Sequence, residues 1–209
     1  MSKLSKSLST LIIILICVSF IYIVKAFLNS KKGHKAESIS LGRVKGNPQA
    51  ALRVTEYIDF QCPACAEGSR VLRENFKNYP NKIYLELKYF PLSSHKHGFI
   101  SARYAECAGR QGKFWPFHDF LIDRQPQWST LEDAKPAFQQ MAKELNLDAR
   151  KLDACVQDQN VENVILVDKD KGTSLGIQRT PTYFINGNMV VGVKSLKEEL
   201  TTHLSPQSN

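Results

Sequence analysis

The chain has 209 residues, 43% hydrophobic and 23% charged, enough for one domain with a large core and outside the range of disordered chains. Its net charge of +8 does not mark a nucleic-acid surface. Residues 1–35 hold six lysines (Lys3, Lys6, Lys25, Lys31, Lys32, Lys35) and no acid, which leaves 22 basic against 20 acidic residues on the remainder.

Residues 11–24 are apolar apart from Ser19, and Ala26, Phe27 and Leu28 extend the run past Lys25. As a helix, residues 11–28 would span roughly 27 Å, enough to cross a bilayer with Lys25 reaching to the interface. Residues 1–30 therefore read as an uncleaved signal anchor or a signal peptide, Val24 and Ala26 loosely matching a cleavage site. The anchor is the preferred reading. Lysines flank the run on both sides and do not set its orientation. Cys17, inside the run, reads as an inert apolar residue. Residues 31–37 are a polar linker, and residues 38–205 the folded domain.

A first strand is expected over residues 38–45, followed by a turn at Gly46-Asn47-Pro48. The next run has a period of two: Leu52, Val54, Glu56, Ile58 and Phe60 share one face, and Arg53, Thr55, Tyr57 and Asp59 the other. This predicts a strand with one mainly apolar face. Glu56 falls among the apolar set, where burial should raise its pKa and let it exchange protons near neutral pH. A surface or ion-paired acid is the alternative.

The strand leads into Cys62-Pro63-Ala64-Cys65. Pro63 suits the first helical position, where its missing N–H goes unnoticed, so the two thiols lie one turn apart at a helix N-terminus. The free N–H groups and the positive end of the helix dipole favour a thiolate on Cys62, with Cys65 as its shielded partner. A bare C-x-x-C has three readings: a redox pair, half of a zinc site, or a structural bridge. Zinc wants further ligands. No second C-x-x-C exists, and His95 and His97 lie in a polar loop, so redox chemistry is preferred, with no metal and no cofactor.

The helix should run from residue 63 to about residue 78 with Val71, Leu72 and Phe76 inward, and Tyr79-Pro80-Asn81 breaks it. Ile83, Leu85, Leu87 and Tyr89 alternate as another strand. Strand, helix and strand form a βαβ unit with a parallel pair. From about residue 97 to residue 175 the pattern is helical. One helix carries Ile100, Tyr104 and Cys107, and an aromatic one covers residues 114–123. Residues 125–128 are expected as a loop, a helix strengthens after Pro136, and Asp148 caps a short helix containing Leu152 and Cys155. A longer helix with Val161, Val164, Ile165 and Val167 ends near Gly172 or Gly176. Trp115, Trp128, Phe114, Phe117 and Phe120 read as packing residues. β structure returns as a hairpin over residues 181–193 turning at Asn186-Gly187, before a last amphipathic helix over residues 195–204. The fold class is α/β with an embedded helical subdomain.

Cys62-Pro63-Ala64-Cys65, Glu56 six residues earlier, Phe90-Pro91-Leu92 followed by His95, the helical insertion, and Thr180-Pro181 before the closing hairpin together resemble the DsbA-like branch of the thioredoxin superfamily. The similarity covers about residues 38–205. It implies a thioredoxin fold interrupted by a helical domain, catalysis through Cys62 and Cys65, and a cis peptide at Thr180-Pro181 that frees the preceding backbone for a substrate strand. Thr180, Pro181, Pro63 and Ala64 then form the substrate-binding surface. Pro63-Ala64 departs from the histidine-containing dipeptide of the best-known strong oxidants and removes one source of thiolate stabilisation. Cys107 and Cys155 lie on apolar helical stripes as either a structural disulfide or two separate thiols. Similar pairs in some relatives, and an exported location, favour the bridge.

The resulting expectation is a periplasmic or otherwise extracytoplasmic thiol oxidase that forms disulfides in exported, cysteine-containing proteins. It would work as a monomer and be reoxidised by a membrane redox partner. An isomerase or reductase of the same fold, and a metal-handling module, are the alternatives.

Overall fold

The structure, a computed structural model, describes residues 16–20, 22 and 42–205. The expected span at residues 11–28 and the linker at residues 31–37 lie mostly or wholly outside them. Among the described residues no helix is long and apolar enough to cross a membrane. The chain divides into two compact units, Met1–Ile39 and Ser40–Asn209, and every strand described belongs to the second.

That unit is built on five strands, β1 (Val44–Gly46), β2 (Leu52–Ile58), β3 (Ile83–Tyr89), β4 (Thr182–Ile185) and β5 (Asn188–Val191), in the order β1-β3-β2-β4-β5. Only β2 and β3 run parallel; β1 on β3, β4 on β2 and β5 on β4 are antiparallel. Helix α1 (Pro63–Asn78) connects the parallel pair. Six helices then follow before β4: α2 (Gly98–Gly109), α3 (Phe114–Asp123), α4 (Gln125–Trp128), α5 (Lys135–Glu144), α6 (Ala149–Val156) and α7 (Gln159–Ser174). Helix α8 (Gly192–Leu204) closes the chain. This is a thioredoxin-like α/β fold with helices inserted between β3 and β4.

Local chemistry accounts for the boundaries. Cys62 is the extended N-cap of α1 with Pro63 behind it, and Asn81, with φ of 68°, makes the turn into β3. Asp148 accepts a hydrogen bond from the Lys151 N–H at the start of α6. Asn186 and Gly187, both with positive φ, form the two-residue hairpin turn.

Some boundaries differ from the sequence expectation. The first strand is shorter and later, beginning at Val44, because only residues 44–46 pair with β3. Residues 125–128 form a helical turn instead of a loop, since Gln125 and Trp128 are buried and hold it inward. The second hairpin strand stops at Val191, and α8 begins at Gly192, whose φ of 82° turns the chain.

Both faces of the sheet are covered. On one, Leu52, Val54, Ile83 and Leu85 pack with Leu72 of α1 and with Leu196 and Leu200 of α8. On the other, Tyr57 packs with Phe90 and Ile177. Tyr57 and Asp59 are therefore buried, whereas the alternating pattern placed them on the more open face. Parallel strands covered on both sides lose that distinction. Helix α7 comes so close that a Cβ on Gly172 would stand 2.8 Å from Phe90 and 2.9 Å from Tyr57.

A buried ionic cluster ties the helices to the sheet. The Arg43 guanidinium pairs with Asp168 of α7, lies 3.6 Å from Glu106 of α2 and sits 4.5 Å over the Tyr89 ring. Cys107 of α2 and Cys155 of α6 are joined, with S–S 2.08 Å and Cα–Cα 5.8 Å. Closing a loop of this length contributes about 4 kcal/mol in the chain-entropy picture.

Candidate active site

Strand β2 delivers the chain to the sheet end, and the turn after it presents Cys62 and Cys65. The turn is held from several sides. The Cys62 N–H donates to the Asp59 carbonyl at 3.0 Å. Gln125 of α4 reaches in and donates to the carbonyls of Phe60 (2.7 Å) and Cys62 (3.0 Å). Gln61 donates to the Ser129 carbonyl at 2.8 Å and accepts from the His97 N–H at 2.5 Å. The buried Asp59 carboxylate accepts from the N–H groups of Gln61 (2.8 Å) and Leu92 (2.7 Å) and pairs with His95 Nδ1 (2.8 Å). Phe90-Pro91-Leu92 and His95 are thereby fastened to the cysteine turn.

The two thiols are electrostatically unequal. Cys62 is 8% exposed and Cys65 fully buried, and both are free thiols. A hydrogen bond from the Cys65 thiol is the largest influence bringing Cys62 down from 9.0 to about 5. Backbone N–H groups at Cys65 and Ala64 and the Thr180 side chain act in the same direction, against burial. Thus the site stabilises its thiolate without a histidine between the cysteines. Burial, reinforced by the Cys62 sulfur, pushes the Cys65 thiol well above the usual value.

The peptide Thr180-Pro181 is cis. The Thr180 carbonyl lies 3.5 Å from Cys62 Sγ. Thr180 and Pro181 are buried against the cysteines, while Pro63 and Ala64 are exposed beside Cys62. Glu56 is buried in β2, opposite Tyr183 of β4. Neither of its oxygens, nor the Tyr183 hydroxyl, has a hydrogen-bond partner among the described residues. Burial raises the Glu56 carboxyl to about 8, the nearby Tyr183 hydroxyl offsetting only part of the effect. Tyr183 is raised well above its usual value, first by burial and then by Glu56. Its hydroxyl fills the space over Gly68, where a Cβ would come within 2.0 Å of it.

The structure thus gathers Cys62, Cys65, Pro63, Ala64, Thr180 and Pro181 at one end of the sheet, with Glu56 further back in β2 and Tyr183 close enough to feel both it and the cysteines. Cys107 and Cys155 belong to the helical insertion instead. Sequence reasoning did not single out Asp59, Gln125 or Tyr183 as part of this site. Asp59 had a usable signal, an acid three residues before Cys62. Gln125 and Tyr183 had none, because only the packing of α4 and the β2–β4 register bring them there.

A family model described as thioredoxin matches residues 40–203. The chain belongs to the thioredoxin family. Among solved structures, the chain resembles alpha-DsbA1 of Wolbachia pipientis, with 24% identity and TM-score 0.67 over 77% of this chain and 87% of that one. It also resembles oxidised BdbD of Bacillus subtilis, with 22% identity and TM-score 0.67 over 80% and 95%. These likenesses show a DsbA-like fold. A curated relative from Salinispora tropica named Na(+)/H(+) antiporter NhaA 3 is 32% identical over 146 residues, 69% of this chain and 21% of that protein. The chain spans about a fifth of the length of such relatives.

Glu56 gives a stability prediction. Its folded value, about 8, lies above its usual 4.5, so stability from this group is complete below 4.5 and is lost as pH rises through 8. The wild type should lose roughly 3 kcal/mol more than Glu56→Gln between pH 5 and pH 8 in urea unfolding. Equal losses in the two proteins would refute the raised value.

Proposed function

We propose that this member of the thioredoxin family is an extracytoplasmic thiol–disulfide oxidoreductase that forms disulfide bonds in exported proteins. The observation that carries this reading is the unequal pair: Cys62 held ionised down to about 5 beside a buried, protonated Cys65. A thiolate at about 5 instead of 9.0 stabilises the dithiol form at pH 7 by about 3 kcal/mol, about 60 mV of oxidising strength. A stabilised dithiol is what makes such a protein an oxidant.

In the oxidising direction a substrate thiolate attacks Cys62 Sγ of the Cys62–Cys65 disulfide. The bond between the two cysteines breaks, and Cys65 leaves with a proton supplied by Glu56. A second substrate thiol then attacks the substrate sulfur of the mixed disulfide, releasing oxidised substrate and the Cys62 thiolate. The substrate strand lies along the Thr180 backbone, with Pro181, Pro63 and Ala64 forming the contact surface. A membrane partner restores the Cys62–Cys65 disulfide. The Cys107–Cys155 bridge supports an oxidising compartment, and the apolar run at residues 11–28 supports membrane attachment.

Equilibration of the full chain with graded glutathione tests this. A potential above about −180 mV supports a disulfide donor, and one near about −270 mV overturns that direction in favour of a reductase.

A further inference from the structure

Beneath the first face of the sheet lies a small cavity of about 10 Å³, lined from β2 by Glu56, from α1 by Ser69 and Leu72, and from α3 by His118 and Asp119. That is room for about one water molecule. Its lining side chains include four polar atoms without a hydrogen bond of good geometry among the described residues: Ser69 Oγ, His118 Nε2 and both Glu56 oxygens, the Tyr183 hydroxyl acting on the carboxyl from nearby. Each such buried atom costs about 1–3 kcal/mol when left unsatisfied. A bound water needs two to four polar partners, and three side chains from three elements supply them here.

The orientation of His118 matters. Its Nδ1 lies 3.0 Å from Asp119 Oδ1. A carboxylate accepts, so Nδ1 carries the proton and Nε2 is left as a lone pair among the lining atoms. The His118 ring is wedged against Phe60 and Trp115. Asp119 is 34% exposed and stands at the mouth. Lys45 of β1 and Arg73 of α1 are the cations acting on His118, and Tyr183 of β4 faces Glu56.

We infer that Glu56 exchanges its proton with solvent through a water held by Ser69 and His118, with His118 relaying it to Asp119 at the mouth. This rests on the reading of Glu56 as proton donor and acceptor for Cys65, and adds the route. In resolution of a mixed disulfide between Cys62 and glutathione, Glu56, having first sent its own proton outward, takes the proton of Cys65, whose sulfur attacks Cys62 Sγ. The Cys62–Cys65 bond forms, the bond to glutathione breaks, and glutathione leaves as a thiolate that takes a proton from solvent. The outward step comes first: Glu56 passes its proton to the water, and the water passes one to His118 Nε2, which empties the carboxylate for the Cys65 proton. His118 releases its Nδ1 proton through Asp119, ending as the Nε2–H tautomer. The next reduction of the pair runs the relay inward and restores the Nδ1–H form. Neutral burial suits this role, and burial does lower His118 below the usual imidazole range. His118 and Ser69 are positioning residues: they act through Glu56 and touch no reacting sulfur.

The test is stopped-flow resolution of the Cys62–glutathione mixed disulfide on the full chain, for wild type, His118→Gln and Ser69→Ala. His118→Gln should be about tenfold slower at pH 7 and partly rescued by added imidazole, which protonates and deprotonates the cavity from solvent. Ser69→Ala, which removes only a hydroxyl, should be about threefold slower. The equilibrium with glutathione should stay within twofold, since a relay changes rates alone. Rates within twofold of wild type in both variants overturn the relay, as does a rate loss matched by an equal shift in equilibrium. A wild-type chain that forms no mixed disulfide at Cys62 overturns the exchange reading itself.

Discussion

Cys62→Ser should reduce thiol–disulfide exchange by on the order of 10⁴-fold, because on the proposed reading the nucleophile is lost while the rest of the site stands. Cys65→Ser should behave differently: the Cys62 thiolate still attacks a disulfide such as oxidised glutathione, expelling one thiolate, and the protein accumulates as the mixed disulfide because no resolving thiol remains. The difference follows from their roles, Cys62 forming the mixed disulfide and the fully enclosed Cys65 resolving it. Alkylation of the reduced wild type should follow a midpoint at about 5 for Cys62, with Cys65 resistant in the folded state. Because Cys62 is depressed from 9.0 to about 5, its contribution to the stability of the reduced form is complete above 9.0 and lost as pH falls through 5. The stability of reduced over oxidised protein should therefore shrink by about 3 kcal/mol between pH 7 and pH 4. Exchange that survives in Cys62→Ser, or an alkylation midpoint near 9, would sink the assignment of Cys62.

Arg43→Met should destabilise the fold by about 3–5 kcal/mol, as measured by urea unfolding. Arg43 is completely buried and faces two carboxylates, Asp168 and Glu106, that are themselves buried. Removing the guanidinium takes the fully buried cation away from both carboxylates in a low-dielectric interior. Other donors cover only part of the loss: the Tyr89 hydroxyl reaches Glu106 at 3.1 Å, and Lys88 lies 3.6 Å from Asp168. Arg43→Met with Asp168→Leu removes the more closely held carboxylate as well and should recover more than half of the stability. A loss under about 1 kcal/mol in the single variant would show that the cluster is hydrated. The cluster stands at the junction of β1, α2 and α7, so its loss loosens the inserted helices from the sheet that carries Cys62.

Much of this could be read without coordinates. The period of two in Leu52-Val54-Glu56-Ile58 placed the acid inside, and Cys62-Pro63-Ala64-Cys65 marked a helix start with two thiols one turn apart. Asn186-Gly187 located the hairpin. These signals are local, since each depends on spacing within one turn or one strand, and such spacing survives in a linear string.

Other features depend on contacts between distant segments. Tyr57 and Asp59 looked half-open because a period of two cannot reveal that α7 covers the second face. Residues 125–128 looked like a loop because nothing nearby announces that Gln125 will clasp the carbonyls of Phe60 and Cys62. Tyr183 meets Glu56 only through the β2–β4 register, and Ser69 and His118 meet it only where α1 and α3 cross the sheet. The order of most elements, the thiol pair and the buried acid were therefore determined by the sequence alone, through periodicity and motif spacing. Tertiary structure decided how far the thiolate of Cys62 is stabilised and which groups surround Glu56, because desolvation and hydrogen bonding are set by whichever side chains long-range packing brings within a few ångströms.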